Sequence, residues 1–305
     1  MTRTRRALTG VLLLDKHADL SSGTAVGWSK RLLNAEKAGH TGTLDPFATG
    51  LLPICFGEAA KFSRFMLDAE KGYRATLRLG QKSSTGDTEG EIMQTRAVDV
   101  DPARVQCVLR SLLGAQQQIP PMHSALKRDG VPLYKLARQG LEVDREPRSI
   151  HVHELNVVEL TGNELIIDTQ VSKGTYVRVL GEDIGELLGC GAHLTALRRT
   201  SSGGFDIRQA ITLEVLEALP MEDREGLLLA PDSLASALPR IELSAFDAKA
   251  LQNGQNPQIE FSAGASGEYR AYGENGLFLG IADLVVTGEA RASLTASRLM
   301  SPAQS

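Results

Sequence analysis

The sequence is short of cysteine, aromatic side chains and long hydrophobic runs, and each shortage excludes a class of protein. The three cysteines among 305 residues form no close pair. This argues against a disulfide scaffold and a zinc site, and it favours a reducing compartment. Aromatic residues make up 5% of the chain, with one tryptophan, so aromatic stacking platforms cannot be widespread. No segment approaches the length of a membrane span.

The N-terminal segment resembles a secretory signal only superficially. Arginines at positions 3, 5 and 6 precede an apolar run. The run 11–14 ends at Asp15, far short of the hydrophobic core that a signal peptide needs. We therefore expect a soluble, cytoplasmic protein that does not contact a membrane.

An excess of positive charge is also missing, since the net charge is -4. A protein that grips nucleic-acid phosphates is usually basic, so this total argues against RNA binding. However, acidic residues gather around positions 214–225, and a cleft can be positive in an acidic protein. Basic residues gather in other segments: Lys61, Arg64, Lys71, Arg74, Arg78, Lys127, Arg128, Lys173, Arg178, Arg198 and Arg199.

The most informative stretch is residues 39–50, with the sequence GHTGTLDPFATG. It places one carboxylate, Asp45, among three glycines and a proline, shortly after His40. Pro46 disfavours a helical conformation at Asp45, and the glycines allow close approach of another molecule to the main chain. The stretch predicts a constrained loop that holds one carboxylate at a fixed angle. The alternative is a tight turn in which Asp45 only caps a backbone group.

Several separated segments resemble the TruB family, the bacterial synthases that make pseudouridine at position 55 of tRNA. Residues 39–50 match the family core G-H-T-G-x-L-D-P-x-A-T-G without a gap. Together the matching segments cover roughly residues 9 to 205. In chain order, the other segments are 10–16, 21–22, 71–74, 124–127, 172–178, 189–194 and 197–199.

The resemblance implies a catalytic role for Asp45 as the nucleophile. Arg178 is implied to keep that carboxylate ionised in a dry site, through a bidentate ion pair. Tyr73 is implied to stack on the target base. His40 is implied to fill the space that the target nucleotide leaves when it flips out of the stack. Each of three roles has a plainer alternative. Arg178 could form a surface salt bridge, Tyr73 could be a core tyrosine, and His40 could brace the loop by a hydrogen bond.

Three more residues resemble substrate-binding positions of the family. Tyr176 stands beside Arg178, Leu197 resembles a pocket wall, and Lys16 resembles a residue near the active-site strand. Structural roles are the alternatives for Leu197 and Lys16.

The implied reaction moves uracil from an N1 to a C5 linkage without gain or loss of atoms, so it needs no cofactor or metal. The residues do not choose among attack at C1′, at the base or at C2′. The implied partner is the T-arm of tRNA. We expect a monomer without an obligatory protein partner.

The order of strand and helix patterns predicts the α+β class, because it lacks a regular βαβ repeat. Alternation in 73–79 predicts a half-buried strand, and segments 150–158 and 165–171 predict a hairpin. Segment 179–188 predicts a helix that ends at Gly189. With the resemblance, this implies a mixed, largely antiparallel sheet with flanking helices, the pseudouridine synthase fold.

The composition changes near Arg240, where the chain becomes rich in Asn, Gln, Gly and Ser. Strand-like segments follow at 277–286 and 292–300. We therefore expect a catalytic domain over 1–239 and a small β-rich domain over 240–305. In the TruB family such a tail is PUA-like and contacts RNA.

Two other functions remain open on the residues alone. One is an RNA-folding helper in which the site around Asp45 is idle. The other is a small-molecule hydrolase that uses His40 and Asp45 as a dyad, although a third catalytic member is not apparent and the basic segments would be unexplained. Incubation with unmodified tRNA, followed by a search for pseudouridine, distinguishes these functions from the leading one.

Overall fold

The fold is seen in a computed structural model that describes residues 5–261 and 264–301. Two large sheets, one on each side of position 239, and two small two-stranded sheets, within residues 81–95 and 127–132, organise these residues. The strands are β1 (Gly10–Lys16), β2 (Ala38–His40), β3 (Thr49–Phe56), β4 (Lys71–Leu79), β5 (Gln81–Ser83), β6 (Ile92–Thr95), β7 (Gly114–Gln118), β8 (Lys127–Arg128), β9 (Val131–Pro132), β10 (Arg148–Thr161), β11 (Glu164–Val171), β12 (Ala192–Ser202), β13 (Phe205–Asp206), β14 (Arg240–Glu242), β15 (Gln258–Glu260), β16 (Gly267–Tyr272), β17 (Phe278–Gly288) and β18 (Arg291–Leu299).

Helices cover the ends and faces of these strands. The α-helices are α1 (Ser22–Leu32), α2 (Arg64–Leu67), α3 (Pro102–Ser111), α4 (Leu133–Ala137), α5 (Val177–Leu188), α6 (Leu213–Ala218), α7 (Met221–Arg224) and α8 (Ala245–Gln252). Short 3-10 turns lie at Gly57–Phe62, Ile207–Gln209, Glu225–Leu227 and Pro231–Ala235. Within residues 5–261 and 264–301, every helix is too short or too polar to traverse a lipid bilayer.

The larger sheet has the order β1-β3-β12-β4-β11-β10-β7, with β2 beside β3 and β13 beside β12. Its pairs are antiparallel except for β3 with β12, which run parallel. This confirms the predicted α+β class and the largely antiparallel sheet. The single parallel pair brings Gly50, at the end of the Asp45 loop, directly beside Arg199.

The predicted strand patterns hold in this sheet. Strand β4 alternates as expected, with Ala75 and Leu77 buried and Arg74 exposed. Strands β10 and β11 form the predicted hairpin. Strand β4 lies between β11 and β12, where Tyr73 pairs with Thr169 on one side and Arg199 on the other.

Helix α5 begins two residues earlier than the sequence pattern predicts. It starts at Val177, so Arg178 lies in its first turn. Its start is held by Gln118, whose side-chain amide accepts from the Tyr176 backbone N–H (2.8 Å) and donates to the Tyr176 carbonyl (3.2 Å). The helix ends as predicted, at Gly189, whose φ of 88° gives the left-handed cap that glycine tolerates best.

The smaller sheet, of order β14-β16-β17-β18-β15, confirms the predicted β-rich tail. It packs on the first sheet's elements through an apolar contact, in which the Phe278 and Phe62 rings lie 5.2 Å apart. Two polar contacts also join the sheets' elements. Lys61 Nζ donates to the Leu299 carbonyl (3.2 Å), and Arg64 pairs with Glu268. The tail therefore contributes to the packing of the whole molecule.

Replacing Gly50 with Ala should destabilise the fold. Gly50 has a φ of +101°, and a Cβ atom there would lie 2.3 Å from the Arg199 carbonyl oxygen. The backbone strain of alanine at this φ and the displacement of β12 both destabilise the native state. We therefore expect the free energy of unfolding to fall by at least about 2 kcal/mol. Urea unfolding measures this free energy.

The matched control is Gly27→Ala in helix α1, where nothing lies within 4 Å of the added carbon. This change should stabilise the protein by roughly 0.5–1 kcal/mol, since alanine favours helix. Equal effects of the two substitutions would contradict the close approach of β3 and β12.

Candidate active site

The Asp45 loop, residues 41–48, connects β2 to β3 and has no regular secondary structure. Ser22, the first residue of α1, clamps its middle: the hydroxyl donates to the Leu44 carbonyl (2.9 Å) and accepts from the Leu44 N–H (2.8 Å). The Ala48 N–H donates to the Asp45 carbonyl (3.1 Å) and closes a turn around Pro46. These bonds confirm a constrained loop.

Two buried cations bind backbone carbonyls of the Asp45 loop and of the segments beside it. Lys16 Nζ donates to the carbonyls of Leu20 (2.7 Å), His17 (2.9 Å) and Pro46 (3.1 Å). Burial lowers the pKa of Lys16 to about 8, and the nearby Asp45 carboxylate partly opposes that shift. Lys16 lines neither of the cavities beside the loop, so its position indicates loop support rather than contact with a substrate.

Arg199 is the second of these cations and is only 2% exposed. Its Nε donates to the Leu51 carbonyl (2.7 Å), and its Nη2 donates to the Gly42 carbonyl (3.2 Å). The guanidinium therefore ties strand β12 to both ends of the Asp45 loop.

Asp45 is paired with Arg178, as the resemblance implies. Arg178 Nε lies 3.0 Å from Asp45 Oδ2, and the arginine side chain is 4% exposed. The bidentate geometry that the resemblance implies stays a prediction. Arg178 Nη1 faces Asp87 Oδ2 (3.3 Å) and donates to the Thr85 carbonyl (3.1 Å), while Nη2 donates to the His123 carbonyl (2.6 Å).

The Asp45 carboxylate experiences opposing influences. Its side chain is 34% exposed, but the surrounding protein still removes enough water to raise its pKa, and this is the largest effect. Arg178 opposes the rise, Asp87 adds to it, and Lys16 lowers the pKa further. Arg178 is thus the main group that favours the ionised, nucleophilic form of Asp45.

Asp87 completes the charged cluster, and the sequence patterns did not identify it. It is 1% exposed and lies in the loop between β5 and β6, where Oδ1 accepts from the Thr85 hydroxyl (2.5 Å) and the Glu89 N–H (3.0 Å). Burial raises the pKa of Glu89, and the neighbouring Asp87 and Asp45 carboxylates add to the rise. Only the three-dimensional structure brings this polar loop to Arg178.

A first cavity of about 400 Å³ opens on one side of Asp45. Four of the predicted substrate-binding residues line it: Tyr73, Tyr176, Arg178 and Leu197. Burial raises the pKa of Tyr176, so its hydroxyl stays protonated at neutral pH. Lys71 also lines the cavity, with its Nζ bound to the carbonyls of Met66 (3.1 Å), Leu67 (3.0 Å) and Ala69 (2.6 Å).

A second cavity of about 650 Å³ lies on the other side of Asp45 and contains His40. His40 Nδ1 accepts from the Gly42 N–H (3.3 Å), so the histidine does brace the loop. Burial, together with the Arg199 charge, lowers the pKa of His40 and favours the neutral ring. The two cavities share one wall, called here the shared wall, formed by Thr43, Leu44, Asp45, Ser124, Ala125 and Arg178.

Many of the basic residues that the sequence singles out already have partners. Lys71 and Arg199 bring positive charge to the first cavity, but their nitrogens already bind carbonyls and are not free to grip phosphates. Six other basic residues of the predicted set have carboxylate partners: Lys61 with Glu58, Arg64 with Glu268, Arg74 with Asp168, Lys173 with Asp68, Arg178 with Asp45 and Arg198 with Asp15.

A metal site is not apparent in the part of the chain that the structure describes, where no three His, Cys, Asp or Glu side chains are grouped to hold an ion. The polar side chains of the shared wall are the Asp45 carboxylate, the Arg178 guanidinium and the hydroxyls of Thr43 and Ser124. This set suits nucleophilic attack by a carboxylate on a bound neutral molecule.

Sequence profiles of known families divide the chain into three matches. Residues 30–177 match the TruB family pseudouridylate synthase N-terminal domain. Residues 178–239 match the tRNA pseudouridylate synthase B C-terminal domain. Residues 239–291 match the C-terminal domain of pseudouridine synthase II TruB.

Solved structures show the same fold. A Cbf5-Nop10-Gar1 complex aligns with 97% of this chain and 86% of its own, at 24% identity and a TM-score of 0.75. The archaeal box H/ACA sRNP Nop10-Cbf5 complex aligns with 98% of this chain and 88% of its own, at 23% identity and a TM-score of 0.73.

Relatives by sequence match almost the full length. A protein of Aromatoleum aromaticum named tRNA pseudouridine synthase B is 50% identical over 97% of this chain and 94% of its own. Proteins of the same name from Neisseria gonorrhoeae and Thiobacillus denitrificans are each 50% identical, over 92% and 93% of this chain and 91% and 94% of their own. The chain therefore belongs to the TruB family of pseudouridylate synthases.

Proposed function

We propose that the protein isomerises uridine 55 in the T-loop of tRNA to pseudouridine, with Asp45 as the nucleophile. The observation that carries this proposal is the Asp45 carboxylate, which faces two cavities and pairs with the buried Arg178 guanidinium. The relatives named tRNA pseudouridine synthase B support the choice of tRNA. The T-loop position comes from the resemblance of residues 39–50 to the family core.

The first cavity suits the target base. Tyr73 offers a ring on which uracil can stack, and Leu197 forms an apolar wall. An apolar wall also helps to retain the base after its bond to the sugar breaks, so that it can rotate and rejoin through C5. Tyr176 and Arg178 line the same cavity, and Arg178 contacts Asp45.

His40 is proposed to occupy the space left by the flipped nucleotide. Extrusion of a base costs a few kcal/mol of stacking, and a planar ring inserted in its place recovers part of that cost. A neutral ring suits this role better than a charged one, because it loses less hydration when it enters the stack. The pKa of His40, lowered by burial, favours that neutral form.

The geometry argues against a hydrolase with a His40–Asp45 dyad. Asp45 pairs with a guanidinium, and His40 Nδ1 accepts a hydrogen bond from the loop backbone. A dyad needs the imidazole beside the carboxylate or the reacting group. The proposed isomerisation uses neither metal nor cofactor, because no atoms enter or leave and no electrons are exchanged.

The tRNA T-arm is the proposed partner, and we propose that the monomer acts without an obligatory protein partner. The division into a catalytic domain (1–239) and an RNA-contacting domain (240–305) is likewise proposed. It is supported by the start of β14 at Arg240 and by the change of family profile at residue 239.

Asp45→Asn should abolish the chemistry while preserving binding. The amide keeps the size of the side chain but removes its charge and nucleophilic oxygen. We expect the single-turnover rate of pseudouridine formation in unmodified tRNA to fall at least about 10³-fold, with the dissociation constant nearly unchanged. The control is Asp223→Asn, an exposed carboxylate of α7. A near-normal rate for Asp45→Asn would refute the nucleophile assignment.

Arg178→Met should shift the pH dependence of the reaction. Because Arg178 opposes the burial that raises the pKa of Asp45, its loss raises that pKa further. A smaller fraction of Asp45 is then ionised at any given pH, and the acid limb of the single-turnover rate should move to higher pH.

Arg178→Lys is the matched variant, since it retains the charge and should shift the limb less. Circular dichroism must show that both variants fold, because Arg178 also binds Asp87 and two carbonyls. An unmoved acid limb in folded Arg178→Met would show that the ion pair does not control Asp45.

Lys173 is the basic residue best placed to contact phosphate at the rim of the first cavity. It stands between the lining residues Ser172 and Gly174, and its exposed pair with Asp68 (2.7 Å) exchanges partners at little cost. Lys173→Ala should weaken tRNA binding and lower the slope of log K against log salt by about 0.7–0.9. The control is Arg110→Ala on α3, which lines neither cavity. An unchanged slope for Lys173→Ala would contradict this contact.

A further inference from the structure

The Ser124 hydroxyl is a buried polar group without a hydrogen-bond partner. Ser124 is 4% exposed, and in residues 5–261 and 264–301 only its Oγ and the Nε of Arg145 are buried side-chain N or O atoms without a partner. Arg145 still uses its other nitrogens, on the Pro120 carbonyl (3.3 Å) and on Glu142 (3.1 Å). Of these two side chains, only that of Ser124 makes no hydrogen bond at all.

The backbone of Ser124 is satisfied, so the residue is held firmly. Its N–H donates to the Met122 carbonyl (2.9 Å), and its carbonyl accepts from the Tyr134 N–H (3.1 Å). The preceding carbonyl, that of His123, accepts from Arg178. A fixed backbone that presents an unpaired hydroxyl is the arrangement expected of a ligand contact, because burial without a partner otherwise costs free energy.

The position of Ser124 indicates which part of a ligand it meets. It belongs to the shared wall with Asp45 and Arg178, so the residue lines both cavities. A nucleotide whose base occupies the first cavity must present the sugar to Asp45, since the bond to be broken joins the base to C1′. The sugar then lies against the shared wall.

The chemistry of the wall narrows the ligand group further. A phosphate would require a free cation, but the Arg178 guanidinium already faces two carboxylates and two carbonyls. A neutral hydroxyl suits a neutral partner that both donates and accepts. The ribose 2′-hydroxyl has this character, lies next to C1′, and is the group that distinguishes RNA from DNA.

We propose that the Ser124 hydroxyl hydrogen-bonds the ribose 2′-hydroxyl of the target nucleotide and thereby contributes to selection of RNA. This rests on the proposed function, which supplies the nucleotide and its orientation. The competing role is internal: burial raises the pKa of Tyr176 and the neighbouring Ser124 hydroxyl partly opposes that rise, although the two oxygens do not form a hydrogen bond in the described structure.

A double-mutant cycle between protein and RNA tests the contact. The RNA is a T-arm stem-loop with uridine or 2′-deoxyuridine at the target position. The proteins are Asp45→Asn, which prevents turnover, with and without Ser124→Ala. On the uridine RNA, Ser124→Ala should weaken binding about 3- to 10-fold, the value of one hydrogen bond. On the 2′-deoxyuridine RNA, the two proteins should bind equally.

Equal weakening on both RNAs, or no weakening on either, would overturn the proposal. Ser124→Thr keeps the hydroxyl and should retain the preference for uridine, whereas Ser29→Ala removes a buried hydroxyl that bonds the Ala25 carbonyl and should leave the preference unchanged. If Ser124 serves only Tyr176, its effect will disappear in a Tyr176→Phe background and will not depend on the sugar.

The unsubstituted protein separates this proposal from the proposed function. If it forms pseudouridine in the T-arm but the cycle shows no sugar dependence, the Ser124 assignment alone fails. If it forms no pseudouridine in that RNA, the proposed function fails as well.

Discussion

One buried guanidinium, that of Arg178, joins the parts of the molecule that form the site. It projects from the first turn of α5 and contacts the Asp45 loop, the Asp87 loop and the segment that carries His123. A buried cation is unfavourable unless its donors find partners. These partners come from three segments that are distant in the sequence. The same side chain therefore sets the charge state of Asp45 and holds the three segments together.

The other buried cations act on the backbone. Lys16 and Arg199 bind carbonyls of the Asp45 loop and its borders, and Lys71 binds carbonyls in the last turn of α2 and just after it. A carbonyl satisfies a donor without neutralising its charge, so the charge still acts on its surroundings. For Lys16 this effect reaches Asp45, whose pKa it lowers. The same contacts thus fix the loop and place positive charge beside it.

The local pattern of the sequence predicted much of the fold, because period-two alternation and helix caps act over a few residues. Strand β4, the β10–β11 hairpin and the end of α5 follow from such signals. Asp45 and Arg178 were identified by their family resemblance. Asp19, which follows β1, adopts a φ of 62°, and aspartate tolerates this conformation better than most residues.

The remainder of the site depends on long-range contacts, which local patterns do not encode. Asp87 lies in the loop between β5 and β6, and its role follows from its distance to Arg178. The start of α5 was missed because Gln118, 58 positions earlier, holds Tyr176 in place. The unpaired state of the Ser124 hydroxyl likewise exists only after the fold has buried it.

The charge distribution explains how an acidic chain can serve an RNA. Exposed basic residues such as Arg74, Lys173 and Arg198 already pair with carboxylates, so the free protein has little unbalanced positive surface there. A phosphate that binds such a residue must displace a carboxylate, which then returns to water. The need to displace a carboxylate weakens non-specific binding of nucleic acids. A nucleic acid that also fills the cavities beside Asp45 gains further contacts, and these offset the cost of the displacement.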